Sequence, residues 1–298
     1  MNGRLLSIDI TRIVGLLLVL LQHTQGTNLL PSWVHNISIN YLPYIFYIDY
    51  GRIGVWLFIF ASGASLGLNH SEFSGLSDVK DFYKKRILRI YPSYWVGLLL
   101  SLLVFNWVIP SLTLVDIARW FSGFQQFFAT SSIEVTKINI TYWFIGVVVS
   151  LYFLYPLLLY AINKHPYLSI MSFFAISLAS RCVMYWIFPM YGSGWDWFPP
   201  CRFFNFALGI FLVKKGLFPK ATSTPAIAFL SVMSFYIYLV HFPIMCATNY
   251  PNIGIVFFVV LTILFAFLLY GFDRSVQNLF SRRTNMLRRH SDNIESQT

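Results

Sequence analysis

Apolar residues in this chain come in long runs, separated by short polar segments. A membrane-spanning helix needs about 20 mostly apolar residues. Eight runs meet or approach that length: 6–27, 46–68, 90–109, 142–162, 167–188, 201–216, 225–247 and 252–272. The sixth is short, and could begin before Cys201 through Phe198-Pro199-Pro200. The pattern predicts an all-α polytopic bundle of about eight transmembrane spans. Between the third and fourth runs, Thr113-Leu114-Val115-Asp116 has the form of a capping box and leads into IARWFSGFQQFF. The stretch 113–128 is therefore expected to be an amphipathic helix lying on, or dipping into, the outer surface.

Composition agrees with a chain embedded in lipid. Of 298 residues, 57% are hydrophobic and only 11% charged, against about 25% charged in soluble domains. No soluble domain, repeat or low-complexity block interrupts the runs. No small-x-small cleavage site follows the first run, which is read as a retained span. The net charge of +10 does not imply a nucleic-acid partner, because the basic residues are distributed by loop. Lys80, Lys84, Lys85, Arg86 and Arg89 precede the third span, Lys164 follows the fourth, and Lys214, Lys215 and Lys220 follow the sixth. Arg274, Arg282, Arg283, Arg288 and Arg289 follow the last. The alternate connections hold only Arg119 and Lys137, with Arg52 and Arg202 at span edges. Positively charged loops stay inside, so both termini are expected in the cytoplasm. Residues 1–273 would form the membrane domain and 274–298 a basic cytoplasmic tail near anionic lipid, its end disordered.

Smaller signals add little. Asn36-Ile37-Ser38 and Asn139-Ile140-Thr141 match the glycosylation pattern, which matters only in a secretory compartment. Cys182, Cys201 and Cys246 have no metal spacing. Cys201 and Cys246 both fall near the outer face, so a bridge is compatible with the map, although small buried thiols are the commoner use.

Chemistry enters through the ionisable residues inside the apolar runs. The first run carries Asp9, Arg12 and His23. Each such group costs about 2.5–3.5 kcal/mol to insert and needs a reason. Arg12 and His23 are eleven residues apart, which on a helix puts them on one face, separated by about 16 Å. Asp9 precedes Arg12 by three and is expected to pair with it. Read alone, Arg12 could snorkel to the near surface and His23 could bond an interfacial carbonyl.

Other stretches carry weaker signals. In 51–67, GRIGVWLFIFASGASLG, small residues favour close helix packing, the ordinary reading for Ser62 and Gly63. In 82–95, FYKKRILRIYPSYW, Arg86 and Arg89 share a helical face and Pro92 is expected to open a new element. A pair of guanidiniums suits a phosphate-rich ligand, since each fork binds phosphate through two hydrogen bonds. A topogenic basic cluster explains the same residues equally well. In 141–158, Trp143 marks an outer interface and Pro156 is tolerated within a span. In 234–244, SFYIYLVHFPI, His241 is a second histidine inside a span, a candidate for either a structural or a catalytic role.

Taken together and in this order, SIDITRIVGLLLVLLQH, GRIGVWLFIFASG, KKRILRIYPSYW, the WF…LYFLYP run and SFYIYLVHFPI resemble the signature segments of acyltransferase family 3, integral membrane enzymes that O-acylate sugars. The most specific parts are Arg12-x10-His23 and Arg86-x2-Arg89. The resemblance implies acyl-CoA, most simply acetyl-CoA, as co-substrate, with no permanently bound cofactor and no metal. It implies a cell-surface glycan or its lipid-linked precursor as acceptor, and a bacterial inner membrane as the location. It implies His23 as the catalytic residue, with Arg12, Arg86 and Arg89 needed for donor handling. With the residue-level reading this gives His23 and Arg12 as expected catalytic residues, Arg86, Arg89 and Lys85 as expected donor-binding residues, and Asp9, Trp143 and His241 as further candidates. The chain departs from many members in having eight rather than about ten spans, and in carrying Val148 where they have a glutamate. The short form resembles the branch containing enterobacterial common antigen O-acetyltransferase and the intercellular adhesin succinylation protein.

The chemistry suits the residue types. An imidazole, with an ordinary pKa of about 6.5, can take the proton from a hydroxyl attacking a thioester, or can accept the acyl group first. Two rival readings share the same features: an exporter of a lipid-linked saccharide, and a non-catalytic partner in glycan assembly. Exporters often show inverted repeats, and no likeness links spans one to four with five to eight.

Overall fold

The computed structural model describes residues 4–24, 49–125, 137–187, 197–248 and 254–295. The Asn36 glycosylation pattern, the ends of the first two expected spans and residues 126–128 of the amphipathic run lie outside them. The described residues form an all-α bundle: α1 (Leu6–Thr24), α2 (Tyr50–Asn69), α3 (Leu76–Val104), α4 (Leu114–Ser122), α5 (Trp143–Lys164), α6 (Pro166–Ile187), α7 (Phe203–Lys214), α8 (Pro225–Thr248) and α9 (Ile255–Glu295). Short 3-10 turns cover Asn106–Ser111 and Pro199–Arg202.

Seven of these helices are long and apolar enough to cross a membrane. The sixth expected span differs. It becomes the 3-10 turn started by Pro199 and Pro200, followed by the 12-residue α7. At 1.5 Å per residue α7 is about 18 Å long, short of the roughly 30 Å hydrocarbon layer. It survives because protein covers it, with Phe206, Ala207 and Ile210 fully buried. Its backbone lies directly on α2. A Cβ on Gly63 would sit 2.0 Å from the Phe206 carbonyl oxygen, and one on Gly209 would sit 2.2 Å from that of Phe60. Small residues permit this approach, and van der Waals packing then holds the helices together.

The reversal of direction expected of a sixth pass still occurs. Lys214 Nζ donates to the His70 and Ser71 carbonyls (2.6 and 3.2 Å). Asn163 Nδ2 also donates to Ser71 O (2.9 Å). Leu6 N donates to Ala221 O, and Ser223 N to Arg4 O (both 2.8 Å). The ends of α2, α5 and α7 and the starts of α1 and α8 therefore meet at one end of the bundle. That end also holds the basic connections of the sequence.

A further expectation changes. Pro92 does not open a new element; it lies inside α3, which is continuous over 29 residues. Membrane helices tolerate an internal proline where neighbours hold the chain. Here Tyr91 Oη, Tyr94 Oη and Trp95 Nε1 donate to the Ser122, Trp120 and Phe121 carbonyls on α4, at 2.7, 2.5 and 2.9 Å. These same bonds satisfy the last carbonyls of α4, which ends on Gly123 at φ 75°, a left-handed value suited to glycine. The Thr113–Asp116 capping box forms. Leu114, Val115, Ile117 and Phe121 are exposed while Asp116 and Trp120 are buried. The apolar exposed face and the buried contact with α3 make α4 the amphipathic helix expected, and suit either placement, on the surface or dipping into it.

The Asn139 pattern is not an open glycan acceptor. Asn139 is buried, its amide donates to Ser101 Oγ (2.9 Å), and its carbonyl accepts from Thr141. All three cysteines are free thiols, so no Cys201–Cys246 bridge is formed. Finally, α9 remains helical through Asp273, where the sequence suggests the membrane domain ends.

Candidate active site

The site begins with a change of partner. Asp9 is buried on α1, but its carboxylate pairs with Arg4 rather than Arg12. Arg4 Nη2 donates to Oδ1 at 2.5 Å and Nε to Oδ2 at 3.1 Å, while Ser223 Oγ donates to Oδ2 at 2.5 Å. A two-point guanidinium fork and a hydroxyl outcompete the single contact that helical spacing offers. Among the described residues, Arg12 then makes no hydrogen bond or ion pair, and its side chain lines a cavity.

That cavity has a volume of about 620 Å³ and opens among α1, α2, α3, α5 and α8. Arg4, Arg12, Arg86 and Arg89 all line it, together with Ser62, Ser65, Tyr152, Ser231 and Ser234. Two of the four guanidiniums have carboxylates. Arg4 holds Asp9, and Arg89 Nη1 donates to Asp273 Oδ2 (3.1 Å) and Tyr236 Oη (2.8 Å). Tyr236 Oη and Gln277 Nε2 also donate to Asp273 Oδ2, at 2.6 and 2.7 Å. Arg86 lies over the Phe82 ring (5.5 Å), and its buried Nε has no hydrogen-bond partner. Arg12 and Arg86 thus add positive charge with no carboxylate bonded to either among the described residues. Val148 is on the cavity wall and brings no carboxylate to it. Guanidiniums so placed suit an anion with several acceptor oxygens.

The two histidines form a separate pair. His23 Nδ1 and His241 Nε2 are 3.0 Å apart, with ring centroids 5.1 Å apart and ring planes 23° from parallel. His241 is fully buried, and its Nδ1 lies 2.7 Å from the Tyr238 carbonyl oxygen. Phe242 stands edge-on to His23 at 5.8 Å. Neither histidine lines the arginine cavity. Phe58, Phe144 and Tyr238 do line it, and Tyr238 also packs against His241. Tyr238 is 5.1 Å from Phe144, 6.4 Å from Phe58 and 5.7 Å from His241, ring to ring. Its hydroxyl donates to the Thr141 carbonyl.

The structure therefore brings Arg12, Arg86 and Arg89 into one cavity and joins His23 to His241. Lys85 is exposed and does not line the cavity, and Trp143 is half-buried at the opposite end, at the start of α5. Ser62 faces the cavity, whereas Gly63 serves packing. Sequence reasoning missed Arg4, Asp273 and Tyr236. Only Asp273 left a signal, as an isolated carboxylate at the end of the last apolar run.

A family model described as an acyltransferase domain matches residues 5–222. The match contains Arg12, His23, Arg86 and Arg89, and stops short of His241 and Asp273. No curated protein and no solved structure matches the chain.

Proposed function

The chain belongs to acyltransferase family 3, and from that premise we propose that it transfers an acyl group, acetyl in the simplest case, from cytoplasmic acyl-CoA to a hydroxyl of a cell-surface glycan or its lipid-linked precursor. Its membrane is the bacterial inner membrane, with both termini cytoplasmic. The observation that carries this reading is the arginine cavity. Arg12, Arg86 and Arg89 come from two helices, converge on one space, and lie at the end of the bundle where the basic connections gather. Loops with that charge stay in the cytoplasm, where acyl-CoA is made.

The phosphates of CoA meet the guanidinium forks, and the pantetheine arm runs along the Arg12–His23 face. The rise between those residues, about 16 Å, is of the same scale as that arm. At the far end His23 removes the proton from the acceptor hydroxyl as its oxygen attacks the thioester carbonyl. The new C–O bond forms, the C–S bond breaks, and the proton leaves with the CoA thiol. General-base help of this type is worth about 10²–10⁴-fold. Acceptor is bound from the outer half of the bilayer, beside the α4 connection.

Sealed vesicles of the two orientations test the directional part. Radiolabelled acetyl-CoA added outside is expected to label an enclosed glycan acceptor only in inside-out vesicles. Equal labelling in intact right-side-out vesicles would refute cytoplasmic donor entry.

A further inference from the structure

The hydrogen bonds around the histidine pair carry more than the pairing itself. A carbonyl oxygen can only accept a hydrogen bond. The contact between Tyr238 O and His241 Nδ1 (2.7 Å) therefore requires the hydrogen on Nδ1. A neutral imidazole carries one N–H, so Nε2 of His241 presents a lone pair. That nitrogen is 3.0 Å from Nδ1 of His23, which must then be the donor. His23 is left with its own lone pair on Nε2. Both rings are taken as neutral because, among the described residues, no carboxylate, lysine or arginine bonds either one. The nearby titratable hydroxyls are committed elsewhere, Tyr238 to Thr141 O and Tyr142 to Leu239 O.

We propose that His241 is a positioning residue that fixes the tautomer of His23, making Nε2 of His23 the atom that takes the hydroxyl proton. The inference rests on the reading of His23 as the catalytic base. When Nε2 of His23 gains the proton, the ring becomes an imidazolium whose Nδ1–H already points at a lone pair. His241 stabilises that cation as a buried neutral acceptor, and its own Nδ1–H stays on the Tyr238 carbonyl. Oriented catalytic histidines commonly use a carboxylate or a carbonyl on the second nitrogen. Here a second histidine does so, itself oriented by the backbone of the same helix. The family match ends before residue 241 and does not itself assign this role.

Two substitutions and one spectrum test it. His241→Phe fills the volume and offers no acceptor. It is expected to lower kcat by about 10²-fold or more, with KM for acetyl-CoA within about threefold of wild type. His241→Gln, whose amide oxygen can accept from His23 Nδ1 and whose amide hydrogen can reach Tyr238 O, is expected to recover at least tenfold of that loss. Equal loss in both variants at equal accumulation, or wild-type kcat in the phenylalanine variant, would overturn the proposal. Nitrogen-15 histidine spectra of the unmodified protein need no variant. They are expected to show His23 protonated on Nδ1 and bare on Nε2; the opposite tautomer would overturn the proposal. An active His23→Ala protein would instead remove the catalytic reading beneath it, a distinguishable failure.

Discussion

α1 carries both Arg12 and His23, so on the proposed function whatever sets the position of α1 would set the geometry of the reaction. Its closest fixed contact is with α2. A Cβ on Gly54 would lie 2.5 Å from the Gly15 carbonyl oxygen, 2.8 Å from Val19 Cγ2 and 3.1 Å from Val19 N. Ordinary contact begins at 3.4 Å, so alanine is 0.9 Å too close to a carbonyl that the helix holds in place. Val19 is 1% exposed and has no room to retreat. The helices must separate, and overpacking of this order destabilises by about 1–3 kcal/mol. His23 lies eight residues beyond Gly15, about 12 Å along the axis, so a local separation reaches it through a rigid rod. Misplacing a reacting group by about 1 Å can lower a rate about 10²-fold.

Gly54→Ala is therefore expected to accumulate in the membrane at a lowered melting temperature, and to turn over about 10²-fold more slowly at saturating acetyl-CoA. Gly15→Ala is the graded companion. Its Cβ would be 3.0 Å from the Gly54 carbonyl oxygen, an overlap of 0.4 Å, so its loss should be smaller. Gly271→Ala, with nothing within 4 Å, is the neutral control. Initial rates of acetyl transfer by purified protein, alongside thermal melts, give both readouts. Turnover of Gly54→Ala within twofold of wild type, at an unchanged melting temperature, would refute the claim that this contact sets the catalytic spacing.

His23→Ala should insert and accumulate normally while losing at least about 10²-fold in acyl transfer; retention of more than a few per cent of activity would exclude a general-base role. Replacing Arg86 and Arg89 together by lysine keeps the charge but removes the planar forks. Weaker acyl-CoA binding at unchanged topology is expected, and wild-type affinity would favour a purely topogenic role. Reporter fusions after Asn69, Lys164 and Lys220 should all read cytoplasmic; an external reading at Lys164 would overturn the orientation drawn from loop charge.

What could be read before the structure was what is local. Twenty apolar residues must be satisfied by their own helix in lipid, so the seven long spans were legible from runs alone. The sixth run was legible as short but was still counted as a span; that it is only the 12-residue α7 was not legible, because its stability comes from the glycine-lined face of α2 and from α6, not from its own length. The same rule separates the site residues. Arg12 and His23 share a face by helical period, and Arg86 and Arg89 share one by i,i+3 spacing. The expected Asp9–Arg12 pair rested on that spacing too. It failed because Arg4 reaches Asp9 from the chain entering α1, and Ser223 from the segment before α8. Nothing in sequence separation announces that Asp273 will hold Arg89 across 184 residues, or that His241 will meet His23 across 218. Nor does it announce that Phe58, Phe144 and Tyr238, from α2, α5 and α8, will pack together on the cavity wall. On the proposed function the donor's phosphates sit among the arginines and the base lies outside their cavity, so that reading requires a path for the thioester arm past Tyr238, whose ring lines the cavity and packs against His241.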